Sequence, residues 1–278
     1  MISIAFALCA AASYGTADFL GGVATRRSSV FAAVVPAQAA GLVLLAVLLP
    51  VFGGTPSQGA VAYGVLGGIC GGAGIALLYH ALSVGKMGVV SPITAVLAAA
   101  VPLAAGVLHG ERLSPLHAAG VGVALAAVVL ISLNAQAEGR VEFSRAGVKE
   151  AVASGLLLGG FYLFLAAAPH GARAYPLVFA RLCSTGLLAS LAFLSRRAMM
   201  PTRATAGTVA VAGILDAAAN GLYVAAAFTG YVSIAAVLTS LYPAATVLLA
   251  RFTLHERLQP WQTGGVALAL AGVAMIAR

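Results

Sequence analysis

Long apolar runs alternate with short polar turns along almost the whole chain. A helix that crosses a bilayer needs roughly 20 mostly apolar residues. By that measure the pattern predicts ten spanning helices, at 2–23, 30–51, 60–82, 87–108, 115–134, 148–168, 175–195, 205–227, 232–251 and 260–277. Most connections are short, such as Gly53-Gly54-Thr55-Pro56-Ser57 and Pro169-His170-Gly171, so consecutive helices are expected to be antiparallel neighbours. The longest polar stretch runs from Asn134 to Glu150 and carries Glu138, Arg140, Glu142, Arg145 and Lys149. It divides the predicted helices into two sets of five.

The two sets are copies of one unit. Glu111-Arg112-Leu113-Ser114-Pro115 returns 145 positions later as Glu256-Arg257-Leu258-Gln259-Pro260. Between Glu111–Ile131 and Glu256–Ile276, 11 of 21 positions are identical without a gap. A turn followed by proline at a helix start explains one occurrence, because proline's missing N–H would be unpaired there anyway. A glutamate ahead of that start suits the positive end of the helix dipole. Recurrence at a fixed spacing is the signature of a duplicated unit. The predicted organisation is a first repeat over 1–134, a polar cytoplasmic linker over 135–147 and a second repeat over 148–278. Five helices per repeat is an odd number, so the second repeat must enter the membrane in the opposite sense. The expected fold class is therefore an all-α integral membrane protein, with ten transmembrane helices in two inverted five-helix repeats, an arrangement of many secondary transporters.

Composition removes the soluble alternatives. Of 278 residues, 62% are hydrophobic and 8% charged, against about 25% charged in soluble domains. The net charge of +8 then points to membrane orientation rather than to nucleic acid, since Lys and Arg gather on the cytoplasmic side. Let side A hold the N-terminus. Side A carries Arg112, Arg173 and Arg278, whereas side B carries 11 of the 15 basic residues, and Arg181 falls inside the seventh helix. Side B is expected to be cytoplasmic, with both termini outside the cell membrane. Cys9, Cys70 and Cys183 lie in apolar runs without metal-site spacing, so neither zinc nor a disulfide framework is implied. No cationic segment precedes the first apolar run, and a cleaved signal peptide is not expected.

Small residues mark expected packing faces. Gly64, Gly68 and Gly72 recur every fourth residue in the third helix, and Gly155 and Gly159 repeat the spacing in the sixth. Such stripes let helix backbones approach closely in lipid.

Two five-helix repeats, each ending in a helix, a Glu-Arg-Leu-x-Pro turn and a Gly/Ala-rich helix, resemble the EamA-domain proteins of the drug/metabolite transporter superfamily. The resemblance covers nearly the whole chain. Leu238-Thr239-Ser240-Leu241-Tyr242-Pro243 is similar to the family's ninth helix, and Ser13-Tyr14-Gly15 resembles the aromatic–glycine pair of its first. Arg181 sits where the family often has an arginine. The first repeat departs from the pattern, with Ala98 opposite Pro243 and its prolines at Pro92 and Pro102. Members are often drawn with both termini inside, opposite to the charge count here, although the superfamily contains both insertion senses. The resemblance implies a transporter of small metabolites or drugs, often an exporter and commonly driven by a proton gradient. The implied partners are a small solute, protons and the lipid bilayer, with no cofactor and no nucleic acid. The chain is expected to be a monomer or homodimer, with its fifth and tenth helices peripheral.

Ionisable groups inside a bilayer are costly and mark function by default. Asp18, Arg181 and Asp216 meet that description. Asp216 lies mid-helix, and Asn220 and Tyr223 follow on the same face, giving a polar stripe that should bind substrate or a proton. Asp18 shares a face with Tyr14. The structural alternatives are that one aspartate pairs with Arg181, or that Asp18 reaches the interface near Arg26 and Arg27. Gln38, His80, Tyr162 and Tyr242 complete the candidate solute- and proton-binding set. Ser91, Thr94, Thr239 and Ser240 are weaker candidates, since a hydroxyl in a membrane helix often bonds its own backbone. Pro92, Pro102 and Pro243 are expected either to kink helices or to open the helix ladder beside a cavity. No catalytic or metal residues are predicted. Gly85-Lys86 lacks the glycine a Walker motif needs five residues earlier, where His80 stands. The competing readings are an uncoupled facilitator or channel, and an intramembrane hydrolase built on His80 and Ser154, which has no nucleophile motif.

Overall fold

The computed structural model describes residues 2–25, 28–84, 87–132, 147–254 and 260–276, and every regular element within them is helical. In order these are α1 (Ile2–Thr25), α2 (Val30–Phe52), α3 (Gln58–Val84), α4 (Met87–Leu108), α5 (Pro115–Ser132), α6 (Val148–Ala166), a 3₁₀ turn at His170–Ala172, α7 (Tyr175–Leu194), α8 (Arg203–Thr229), α9 (Val232–Thr239), α10 (Tyr242–Leu254) and α11 (Pro260–Ile276). Six of them are long and apolar enough to cross a membrane, namely α1, α2, α3, α6, α7 and α8. Shorter apolar helices lie at Ile93–Leu108, Pro115–Leu130, Val232–Ala245 and Thr263–Ile276. The expected linker at 135–147 and the second Glu256-Arg257-Leu258-Gln259 turn lie outside the described residues, apart from Gly147.

The helix starts follow local chemistry. Pro115 and Pro260 open α5 and α11, where proline's fixed φ already suits a helix. Ser29 caps α2, its Oγ accepting from the Ala32 N–H at 3.2 Å, as short hydroxyl residues do. The apolar run predicted at 232–251 is divided. α9 ends at Thr239, Ser240 and Leu241 form a turn, and α10 begins at Tyr242. Pro243 explains the division: it cannot donate a hydrogen bond back to the Thr239 carbonyl, so the helix ladder is interrupted there.

Packing is between small residues inside and large ones outside. Alanine dominates the buried positions, while Val43, Val47, Leu182 and Phe193 face outward, Val47 being 68% exposed. That is the reverse of a water-soluble bundle and suits a lipid surround. The glycine stripes serve as close-approach faces, as their spacing predicts. A Cβ on Gly68 would sit 2.7 Å from Cys183 Cβ on α7, and one on Gly159 would sit 2.6 Å from Val101 Cβ on α4. Gly213 of α8 lies directly against the Ala37 carbonyl of α2, with no room for any side chain. α5 and α11 pack on each other through Gly120 and Gly272.

The pairing of helices has an exchange symmetry. α1 packs on α8 as α6 packs on α3, and α2 on α8 as α7 on α3. α4 packs on α6 as the broken pair α9–α10 packs on α1. The contacts α2–α7, α4–α9 and α5–α11 join equivalent members of the two halves. Exchanging the halves therefore preserves the major contacts. The helices that cross between the halves enclose a central cavity.

Candidate functional site

The cavity has a volume of about 110 Å³ and is lined by residues of α1, α2, α3, α4, α6, α7, α8 and α10. It exists because the crossings around it are made by glycine and alanine. Gly21, Ala33, Ala37, Gly71 and Gly213 all border it, and larger residues there would fill it. The lining is asymmetric. Gly21 near the end of α1, Ala33 near the start of α2, Leu78 near the end of α3 and Val209 near the start of α8 extend it towards the side-B helix ends. Towards side A the bundle is filled instead by Tyr223, Ile234, Val237 and Leu238, all buried.

A polar network crosses this cavity between helices of both halves. Arg181 on α7 is 6% exposed and donates to Gln38 Oε1 on α2 and to Asp216 Oδ2 on α8. An arginine buried this deeply needs such acceptors, because an unpaired buried charge is far more costly than a paired one. Asp216 is the midpoint of α8. One turn later, Asn220 donates from Nδ2 to the Asp216 main-chain carbonyl at 2.8 Å and lies 3.5 Å from its Oδ2. The Asn220 side-chain oxygen accepts from the Tyr14 hydroxyl of α1 at 2.5 Å. Gln38, Arg181, Asp216, Asn220 and Tyr14 thus form one continuous chain of hydrogen bonds across four helices.

Asp18 stands apart from that chain. It lines the same cavity, one helical turn beyond Tyr14, yet among the described residues it has no hydrogen-bond or ion-pair partner. The alternative in which an aspartate pairs structurally with Arg181 is realised by Asp216 and not by Asp18. With both carboxylates ionised, the lining side chains Asp18, Asp216 and Arg181 leave one net negative charge.

Aromatic rings form the wall towards side A. Tyr14 packs edge-on against Tyr162 and Tyr242, with ring centres 6.0 and 6.5 Å apart. Tyr162 lies 4.6 Å from Tyr223. Tyr14, Tyr162 and Tyr242 border the cavity, whereas Tyr223 sits behind them, fully buried, with its hydroxyl donating to the Tyr162 carbonyl at 3.2 Å. Of the ten candidate residues, Asp216, Asp18, Arg181, Asn220, Tyr14, Gln38, Tyr162 and Tyr242 border one cavity, and Tyr223 supports it. His80 is exposed in α3 and does not border it.

The weaker candidates divide. Thr94 is buried and donates to the Ala151 carbonyl of α6 at 3.3 Å, and Ser240 donates to Val237 in its own turn at 2.7 Å. Thr239 is buried with its hydroxyl unpartnered among the described residues. The side chains of Ser91 and Pro92 lie outside the described residues. Ser154 is fully buried and donates to the Gly74 carbonyl at 2.8 Å, so it joins α6 to α3 while His80 faces outward.

One interaction escaped the sequence reading. Glu111 was expected to favour the start of its own following helix. Its carboxylate instead reaches the other half and caps α9. Oε1 accepts from the Val232 N–H at 2.8 Å, and Oε2 accepts from the Ser233 N–H at 3.2 Å and from the Ser233 hydroxyl. The first amides of a helix lack partners within it, and a carboxylate there is a strong charge-assisted acceptor. Nothing local to Glu111 announces a partner 121 residues away.

The EamA family, described as EamA-like transporters, matches residues 1–133 and again 145–278, almost the whole chain in two copies. The chain belongs to the EamA-like transporter family. It is a membrane protein of a transporter family, and the cavity lies where residues from both matched copies meet. A solved crystal structure of a protein 20% identical to this chain has a TM-score of 0.79, covering 99% of this chain and 98% of the other. That likeness shows a shared fold. No curated protein matches the sequence.

Proposed function

We propose that this EamA-like protein is a secondary active transporter. In this reading it exports a small metabolite or drug-like solute across the cytoplasmic membrane by proton-coupled alternating access. The observation that carries the reading is the cavity shared by both halves, in which Asp216, paired with Arg181, and Asp18, with no ion-pair partner among the described residues, face the same space. The repeats span 1–134 and 148–278 and are inverted with respect to each other. The exchange symmetry of the helix pairing and the odd count of five spans per repeat support this. The divided α9–α10 counts as one span, giving ten. Rocking the halves about the shared cavity then opens it to alternate sides. The structure resembles the side-B-open member of such a cycle, since the lining extends to that side and Glu111 ties the other.

Coupling in this reading falls first to Asp18. Arg181 pairs with Asp216, whereas Asp18 faces the cavity with no ion-pair partner among the described residues. In proteoliposomes, Asp18→Asn is expected to lower solute flux driven by a pH gradient at least tenfold. Its remaining flux should no longer depend on that gradient. Coupling that persists in Asp18→Asn and disappears in Asp216→Asn would move the proton site to Asp216, the residue that the sequence pattern alone favours. If neither change matters, the uncoupled facilitator is the better description.

Side B is the cytoplasmic side in this proposal, with both termini outside, because 11 basic residues gather there. Cysteines introduced between Asn134 and Glu150, after replacement of Cys9, Cys70 and Cys183, should resist an impermeant thiol reagent in intact cells. Labelling from outside would reverse the orientation.

A further inference from the structure

We infer that the cavity selects a small organic monocation, bound with its ammonium group at Asp18 and against the rings of Tyr14, Tyr162 and Tyr242. The inference rests on the proposed transport function and names the solute class for the same cavity.

Charge is the first argument. Arg181 is the cationic side chain among the described lining residues, and it is directed at Gln38 and Asp216. Asp18 has no cationic partner among the described residues. A solute with one positive charge neutralises the cavity, whereas an anion raises the local negative charge in a poorly screened environment.

Hydrogen-bonding capacity is the second. An anionic or strongly accepting solute needs free donors. The donors nearest Asp216 are already engaged: Arg181 by Gln38 and Asp216, Asn220 by the Asp216 carbonyl, the Tyr14 hydroxyl by Asn220 and the Ser184 hydroxyl by the Arg181 carbonyl. An anion would have to displace Asp216 from Arg181, creating a second uncompensated carboxylate. An ammonium group displaces nothing, because Asp18 accepts it without breaking a bond within the described residues.

The walls are the third. Three tyrosine rings border the cavity, Tyr14 packing against both Tyr162 and Tyr242. A ring presents a negative face to a cation, and the attraction strengthens where water is excluded. Alkyl groups on nitrogen suit the remaining surface, which apart from Ser184 is Ala, Gly, Val, Leu, Ile75 and Phe161.

Binding to the purified full-length protein in nanodiscs tests this independently of transport. The probes are choline, its uncharged analogue with carbon in place of the quaternary nitrogen, and a carboxylate of the same shape. Calorimetry should show choline binding at least tenfold more tightly than the uncharged analogue, with the carboxylate weakest. Asp18→Asn should remove the preference for choline while leaving the uncharged analogue unchanged. Tyr162→Leu should weaken choline several-fold, and Tyr162→Phe, which keeps the ring, should not. Equal binding of choline and its uncharged analogue, a preference for the carboxylate, or a preference that survives in Asp18→Asn would each overturn the inference. The transport reading fails by a different result, the absence of any gradient-driven flux of a solute that binds. The cation inference can fail while such flux is present.

Discussion

Asp216→Asn is expected to destabilise the folded protein sharply, and Arg181→Gln in the same chain to restore most of the loss. The substitution keeps the shape of residue 216 and removes its charge. Arg181, whose side chain is 7% exposed, is then left with the neutral Gln38 and a neutral amide. Breaking a buried ion pair from one side costs about 3–5 kcal/mol, because the remaining charge is stranded. The Asp216 side chain is 33% exposed, so water in the cavity supplies part of the missing solvation, and the lower end of that range is expected. Removing both charges strands neither, and a well-packed neutral pair is often no less stable than the ions it replaces. Thermal unfolding in detergent of the two single variants and the double variant measures the coupling directly. Additive losses, with the double variant the least stable of the three, would show that Arg181 and Asp216 do not stabilise each other as the geometry indicates. The cycle also separates stability from transport, since fluxes can be normalised to folded protein.

The comparison of sequence and structure has a physical pattern. Helix positions were legible because lipid demands long apolar runs, and the predicted segments agree with the described helices to within a few residues. The break at Ser240 and Leu241 was less so. Pro243 was visible, but a proline either kinks a helix or divides it, and the surrounding packing decides which. Asp216, Arg181 and Asp18 stood out because charges are rare in such segments. Their partners did not. A polar stripe on α8 joins Asp216, Asn220 and Tyr223 by helical periodicity, yet only the first two border the cavity. Tyr223 is turned behind the tyrosine wall to bond Tyr162. Periodicity gives the face of a helix, and three helices crossing at glycines decide where that face leads. Gly213 and Ala37 set one such crossing. In the sequence Gly213 lacks the four-residue glycine repetition that marked Gly64, Gly68 and Gly72.

Glu111→Gln is expected to loosen side A and shift the protein towards the state open on that side. The wild-type carboxylate accepts three hydrogen bonds at the start of α9, two from main-chain amides and one from the Ser233 hydroxyl. Glutamine keeps the length but has one acceptor oxygen and no charge, so it cannot accept from both main-chain amides with two oxygens as the carboxylate does. Hydrogen bonds to a charged group contribute about 1.5–3 kcal/mol each. Losing even the equivalent of one changes the balance between two states roughly tenfold, since about 1.4 kcal/mol is a factor of ten. A thiol reporter reads the shift. Ile234, in the first turn of α9, is 7% exposed, so Ile234→Cys in a protein lacking the native cysteines should label slowly from side A. Adding Glu111→Gln should raise that labelling rate about tenfold, and adding Glu111→Asp, which keeps the charge on a shorter stem, should raise it less. Ser233→Ala removes one of the three donors and should give an intermediate rate. An unchanged rate in Glu111→Gln would reduce the contact to a local cap. The duplication adds a sign to the expectation. Glu256 occupies the same register in the second copy of the motif. If the repeats are inverted, Glu256→Gln favours the opposite state, so it should slow the labelling of Ile234→Cys from side A rather than speed it. Two substitutions of one kind, in two copies of one motif, would then move a single reporter in opposite directions, a result that general destabilisation of the bundle does not produce.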